Sequence, residues 1–285
     1  MDDVLLQAPR PPTRFLSELR KLPAFVRRDV LVTLSYRMSF VTDIASLGVQ
    51  VLVFYFIGRM VDPDKLPKFG GTQVTYLEFA AIGIALGAFV YVGLERVSAA
   101  IRNEQLMGTL ESLLMTPTST ATIQFGCVVW DLIYVPLRTG VFLAAIAFIF
   151  GMHVESSGVL PALALLFAFI PFVWGLGIAS AAAVLTFRRG SGMIGLGLVG
   201  LALVSGMYFP IDLLPHWLSQ ISQFNPLALG VDGMRQALLG GDGWGEVAPK
   251  LALLAPMAVA TLLVGFVGFR LAVRRERDRG TLGLY

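Results

Sequence analysis

The chain has 285 residues, 56% of them hydrophobic and only 14% charged, with a formal net charge of +3. An ordinary soluble domain carries about 25% charged residues. Several apolar blocks exceed the roughly 20 residues that span a bilayer as helix, which excludes a water-soluble body. The basic residues flank these blocks instead of forming one basic face, so no nucleic-acid partner is expected.

Residues 1–12, with Pro9, Pro11 and Pro12, read as a disordered lead. Phe15, Leu19, Leu22 and Val26 then recur on one helical face, with Arg14, Lys21, Arg27 and Arg28 mostly elsewhere around it. Pro23 is expected to break or restart this helix. A basic amphipathic helix lies in the headgroup layer of a membrane; a soluble extension packed on itself is the alternative. No cleavable signal peptide is expected, because the first apolar block begins only after about 38 residues with no small-residue cleavage site behind it.

The apolar blocks fall near 39–60, 76–97, 121–151, 159–187, 191–209 and 247–271. They are continuous and long, which predicts helices and not the alternating short strands of a barrel. Six spans put both ends on one side. Most lysines and arginines lie in residues 1–38, 95–119, 188–190 and the tail from Arg270, against Arg59, Lys65, Lys68, Arg235 and Lys250 on the other side. Both termini are therefore predicted to be cytoplasmic in a cell membrane. The fold class is an all-α membrane protein. Its parts are a lead with an amphipathic connecting helix (1–38), a six-helix transmembrane domain (39–271) and a cytoplasmic tail (272–285).

Small residues sit at ridge spacing in the spans: Gly83 and Gly87 in the second, and Gly175, Ala179 and Ala183 in the fourth. Such ridges let helix backbones approach closely, and contacts within one chain are expected. Asp43, Asp131 and Arg138 are charged residues inside apolar blocks, each costing roughly 2.5–3.5 kcal/mol on insertion scales. Asp131 and Arg138 are two turns apart, about 10.5 Å along an axis. Each is expected to find a structural partner on another helix or to reach the surface; a relay or ion pathway is the alternative. Cys127 reads as a packing residue, and His153 and His216 stand far apart without ligand-spaced company, so no metal site is expected.

The segment ERVSAAIRNEQLMGTLESLLMTPTS (95–119) is polar between apolar neighbours. Val97 and Ile101 continue a helical face out of the second span. Gly108 offers a bend, Thr109 an N-cap, and Met107, Leu110 and Leu114 one face of a second short helix that Pro117 stops. The unit, about 98–116, either docks on a partner or lies on the membrane surface. After the fifth span, residues about 210–240 form a second unit. Leu214, Trp217, Leu218 and Ile221 make an apolar stripe, with Trp217 expected at headgroup level. Asn225 and Pro226 start a helix striped by Leu227, Val231, Met234 and Leu238. Asp232 and Arg235 are spaced to pair on its polar side, and Gly240 is expected to close it. Two helices joined at a proline predict a re-entrant elbow at the extracellular leaflet.

The run Glu104, Gly108-Thr109-Leu110-Glu111, Leu113-Leu114 and Thr116-Pro117 resembles the cytoplasmic motif of the type-two ABC transporter permeases. The run Phe209-Pro210, Leu214-Pro215, Trp217, Asn225-Pro226, Asp232-Gly233 and Arg235 resembles their extracellular motif, and the two appear in the family's order along nearly the whole chain. The resemblance implies the permease subunit of an ABC exporter, paired with a second permease copy or paralogue and driven by separate nucleotide-binding ATPase subunits. It makes 98–116 the coupling helix, with Glu104, Gly108, Thr109, Glu111 and Pro117 near the ATPase contact. Arg20, Lys21, Arg27 and Arg28 would lie on the connecting helix. The family's pathway runs along the dimer interface, which makes Phe54, Tyr55, Phe56, Met207, Tyr208 and Phe209 candidate lining residues by location.

No G-x-x-x-x-G-K-[ST] loop occurs in the sequence, and the glycine cluster GGDGWGE (240–246) lacks the lysine that phosphate binding needs. ATP and magnesium are thus expected in the partner, with no cofactor and no catalytic residue in this chain. The aromatic candidates predict a hydrophobic or amphiphilic cargo, a drug or lipid; a lipid-linked polysaccharide is the alternative, because rings also stack on sugars. A membrane-embedded lipid-modifying enzyme would need a nucleophile or metal set that Glu95, Glu104 and Glu111 alone do not make. A structural or sensory membrane protein is the other competitor.

Overall fold

The computed structural model describes residues 20–35, 37–62, 64, 66–71, 73–106, 120–187, 191–241 and 243–278; for some helical residues, among them Asp43, Glu104, Cys127 and Asp131, it describes the backbone alone. The helices, in chain order, are α1 (Leu22–Ser35), α2 (Arg37–Gly58), α3 (Tyr76–Leu106), α4 (Thr120–Phe150), α5 (Val159–Phe187), α6 (Ser191–Leu203), α7 (His216–Ser222), α8 (Pro226–Arg235) and α9 (Gly243–Asp278). No extended strand occurs among the described residues.

Each apolar block forms a helix, as continuous apolar sequence without turn residues dictates. Among the described residues, three stretches are long and apolar enough to cross a membrane: Ile133–Phe150, Ser156–Ala183 and Gly243–Ala272. In α2 and α3 the apolar stretches among the described residues are Gly48–Gly58 and Tyr76–Tyr91. The fifth block departs from expectation, since its helix stops at Leu203 and not at 209. The reason is local. Ser205 Oγ donates to the Ala202 carbonyl at 2.6 Å and accepts from the Met207 N–H at 3.2 Å, and Gly206 takes φ 69°. That left-handed residue turns 204–210 away as a loop.

The tightest packing uses glycine. The most extensive helix pairing is α5 with α9. A Cβ on Gly175 would stand 2.5 Å from the Leu262 backbone nitrogen, and one on Gly265 would strike the Gly175 carbonyl. Without a hydrophobic drive between helices in lipid, such close backbone approach is what binds them. α3 packs on both α4 and α5 and carries the centre of the core, with Phe79, Ile82, Ile84 and Leu86 buried and Phe89 beside Phe169, ring centroids 6.0 Å apart.

α1 begins at Leu22 with Pro23 in its first turn, where a missing N–H costs nothing. Its Phe25 ring presses on α4 where Gly126 leaves room, 2.6 Å from a Cβ built there. By contrast α2 and α6 leave large apolar side chains exposed, among them Val53, Phe56, Leu196 and Val199.

Candidate functional site

The elbow forms as its sequence requires. Asn225 Oδ1 accepts the Leu227 N–H at 2.9 Å, Pro226 occupies the first turn of α8, and Leu227, Val231, Met234 and Leu238 are all buried. Asn225 Nδ2 also donates to the Leu201 carbonyl at 3.1 Å, which ties the elbow to α6. Trp217 on α7 is exposed, with Ile221 and Phe224 beside it in sequence also exposed.

Closure does not come at Gly240. The chain continues from α8 as a π turn, Gln236–Gly240, and Gly241 takes the left-handed position with φ 67°. The extra residue in this turn pushes carbonyls outward. The Ala237 carbonyl meets Gly158, and the Gly240 carbonyl meets Gly70; a Cβ at either glycine would collide with that oxygen. Three connections therefore interlock here: 59–75, 151–158 and the elbow.

Arg235 is the centre of this region, and it does not pair with Asp232 as its spacing suggests. It is 3% exposed. Nε donates to the Phe79 carbonyl at 3.0 Å, Nη1 to Gly206 at 2.9 Å and Nη2 to Met207 at 3.0 Å. The guanidinium carbon lies 3.5 Å from the centroid of the Phe79 ring. The planar fork suits three fixed carbonyls and one ring better than a single flexible carboxylate. Asp232 is left half-exposed and pairs with Lys250 of α9 instead.

The candidate pathway residues fall into different settings. Phe54 of α2 stacks on Tyr208, centroids 5.4 Å apart and planes at 3°, and Tyr76 Oη donates to the Tyr208 carbonyl at 2.9 Å. Met207 is buried, its side chain in the notch left by Gly83 and Gly87 on α3. Tyr55 lies beside Phe150, 5.4 Å between centroids, and accepts from Arg59 Nη2 at 3.2 Å. Phe56 is exposed and Phe209 is partly buried. The structure thus joins Phe54 to Tyr208, and Tyr55 to Phe56 and Phe150.

The coupling segment is described only in part. α3 runs unbroken to Leu106, as Val97 and Ile101 predict, and includes the backbone of Glu104. Gly108, Thr109, Glu111 and Pro117 lie outside the described residues. Of the basic connecting-helix residues, Arg20 and Lys21 precede α1; Arg27 and Arg28 lie on it, with Arg28 Nε bonded to Asp29 at 2.8 Å.

Arg138 is partly buried. Its Nε is buried and has no hydrogen-bond partner among the described residues.

Sequence reasoning passed over Tyr76, Glu78 and Phe79, which begin α3. Thr75 and Glu78 form a capping box, with the Thr75 N–H donating to Glu78 Oε2 at 2.7 Å and Glu78 N–H to Thr75 Oγ1 at 3.3 Å. Glu78 Oε1 also accepts the His153 N–H at 3.2 Å. The T-Y-L-E pattern ahead of an apolar run carries that signal in the sequence.

The sequence model of the family described as ABC-2 type transporter matches residues 21–239, from the start of α1 through the π turn after α8. The chain belongs to this family. The linearmycin resistance permease protein LnrN of Bacillus subtilis (strain 168) is 25% identical over 200 residues, 70% of this chain and 51% of that protein. Nodulation protein J of Rhizobium leguminosarum bv. viciae is 31% identical over 175 residues, 59% of this chain and 64% of that protein. In both cases the chain spans less than two thirds of the relative's length. The family match takes in all of the elbow but its last residue, Gly240.

Proposed function

We propose that this permease is the membrane half of an ABC exporter for a hydrophobic or amphiphilic cargo, a drug or a lipid. The observation that carries the proposal is the family match over residues 21–239, which takes in both the coupling segment and the elbow. Six spans with both termini cytoplasmic agree with the distribution of lysine and arginine. In that orientation the Arg235 region faces outward and α3 ends at the cytoplasmic surface. The two relatives are named for resistance to linearmycin and for nodulation, and the first of these supports a drug as cargo here.

In this reading two copies, or one copy and a paralogue, meet along α2 and α6, whose apolar faces stand exposed in a single chain. Separate ATPase subunits bind nucleotide and magnesium, and they press on segment 98–116 through Glu104, Gly108, Thr109, Glu111 and Pro117. Arg20, Lys21, Arg27 and Arg28 support that contact. ATP binding shifts a two-state equilibrium only through contacts that differ between the states. The stacked pair Phe54 and Tyr208, joining α2 to the loop after α6, is one contact that would change.

The test is ATP-dependent export by proteoliposomes holding this chain and its ATPase. Glu104→Ala with Glu111→Ala is expected to abolish stimulation of the ATPase and transport together. Unchanged stimulation and transport would remove the coupling assignment.

A further inference from the structure

α9 has 36 residues, which make about 54 Å of helix, longer than the roughly 30 Å hydrocarbon layer of a bilayer. Its apolar stretch, Gly243–Ala272, gives way to charge at the C-terminal end. Arg270 lies in the last turn of that stretch, and Arg274 and Arg275 lie in the turn beyond it. All three are exposed, and no hydrogen bond or ion pair joins any of them to another described residue. Over residues 270–279 the sequence sets five arginines against Glu276 and Asp278. The excess is positive.

The spacing gathers this charge. Arg270 and Arg274 are four residues apart, about 6 Å along the axis, so they share one face. Arg275 stands about 100° around from Arg274. Exposed hydrocarbon precedes them on the same side: Val267, three residues before Arg270, is 58% exposed, and Leu271, four before Arg275, is 60% exposed. That hydrocarbon meets acyl chains and selects no particular lipid. The guanidinia do, because a long basic side chain at the end of a span lays its stem on apolar surface and its head among phosphates. Other described basic residues are dispersed or engaged. The exposed Arg20 and Arg27 are seven residues apart, Arg28 bonds Asp29, Arg59 bonds Tyr55, Lys250 bonds Asp232, and Arg235 is spent on carbonyls.

We infer that the C-terminal end of α9 binds anionic phospholipid, with a headgroup phosphate bracketed by Arg270 and Arg274 and a further contact from Arg275. Holding α9 at the headgroups also holds α5, its most extensive packing partner, where Ala181 and Ala182 meet Phe269 and Ala272. This site does not rest on the export reading: its binding is measured with no ATPase, nucleotide or cargo present.

The experiment uses the purified full chain in a neutral detergent and counts bound lipid by native mass spectrometry. Phosphatidylglycerol is expected to bind about tenfold more tightly than phosphatidylcholine with the same acyl chains. Arg270→Gln, Arg274→Gln and Arg275→Gln together are expected to remove most of that preference. Lysine at the same three positions is expected to keep the larger part of it, since the charge remains. The three side chains are exposed, so the lipid-free unfolding midpoint is expected to be the same in all these chains. Arg20→Gln with Arg27→Gln is the comparison, and it is expected to leave the preference within about twofold of its original value. Equal binding of the two lipids by the unaltered chain overturns the inference whatever the variants do. So does a triple glutamine chain that keeps the preference, or an Arg20→Gln, Arg27→Gln chain that loses as much.

Discussion

At the elbow end of the bundle, Gly70, Gly83 and Gly158 each lie where a Cβ would strike a carbonyl oxygen, whereas Gly195, Gly197 and Gly200 of α6 meet nothing within 4 Å. The same residue type serves two purposes. In the first region it lets backbones touch, and the polar groups brought close are then satisfied by Arg235, Tyr76 and Glu78. In the second it leaves a smooth apolar surface flanked by the exposed Leu196, Val199 and Leu203. One region is completed within a single chain; the other is completed by whatever lies against it in the membrane. Substitutions that separate these two cases test the contrast directly.

The largest effect is expected at Arg235. Arg235→Leu strands three carbonyls and costs about 3 kcal/mol, read as a lowered thermal unfolding midpoint in detergent. Arg235→Lys keeps the charge without the fork and recovers less than half of that loss. Gly83→Leu, which drives a side chain into Met207, is next, at about 1–3 kcal/mol by the same measurement. Tyr76→Phe removes the bond to the Tyr208 carbonyl and costs about 1 kcal/mol. Asp232→Asn breaks the half-exposed pair with Lys250 and costs about 0.5 kcal/mol. Gly197→Ala on α6 is expected to leave the midpoint unchanged or slightly raised, within about 1 kcal/mol. A large loss there would show that the glycine face of α6, and not only its Leu198 and Leu201 side, packs within its own chain, and the contrast would fail.

Much of this was readable in advance, for reasons that differ by element. The long apolar blocks of α4, α5 and α9 announce themselves because the signal is continuous. Asn225-Pro226 marks α8 because capping is local chemistry, settled by neighbours in sequence. Arg235 misled for the converse reason. Local spacing offers it Asp232, but its acceptors are 156, 29 and 28 residues away, and no periodicity encodes those. Gly206 ends α6, yet in sequence it looks no different from Gly197 or Gly200 within the same helix. The family resemblance gave the coupling motif residue by residue, and its central residues 107–119 lie outside the described residues. The setting of Arg138, whose buried Nε has no hydrogen-bond partner among the described residues, was not legible either, because no periodicity along α4 names what lies beside it.

The unbroken run of α3 has a mechanical consequence. Its 31 residues make a rod about 45 Å long, longer than the hydrocarbon layer of a bilayer. One tip is fastened by Arg235 at Phe79 and by Glu78 at His153. A sideways push at the Leu106 end would turn the rod about that fastened point, as an oar turns in its rowlock, and would carry with it the α4 and α5 packed against it. Displacement then grows with distance from the pivot, so the residues beside Phe79 stay almost still while those near Leu106 sweep the widest arc.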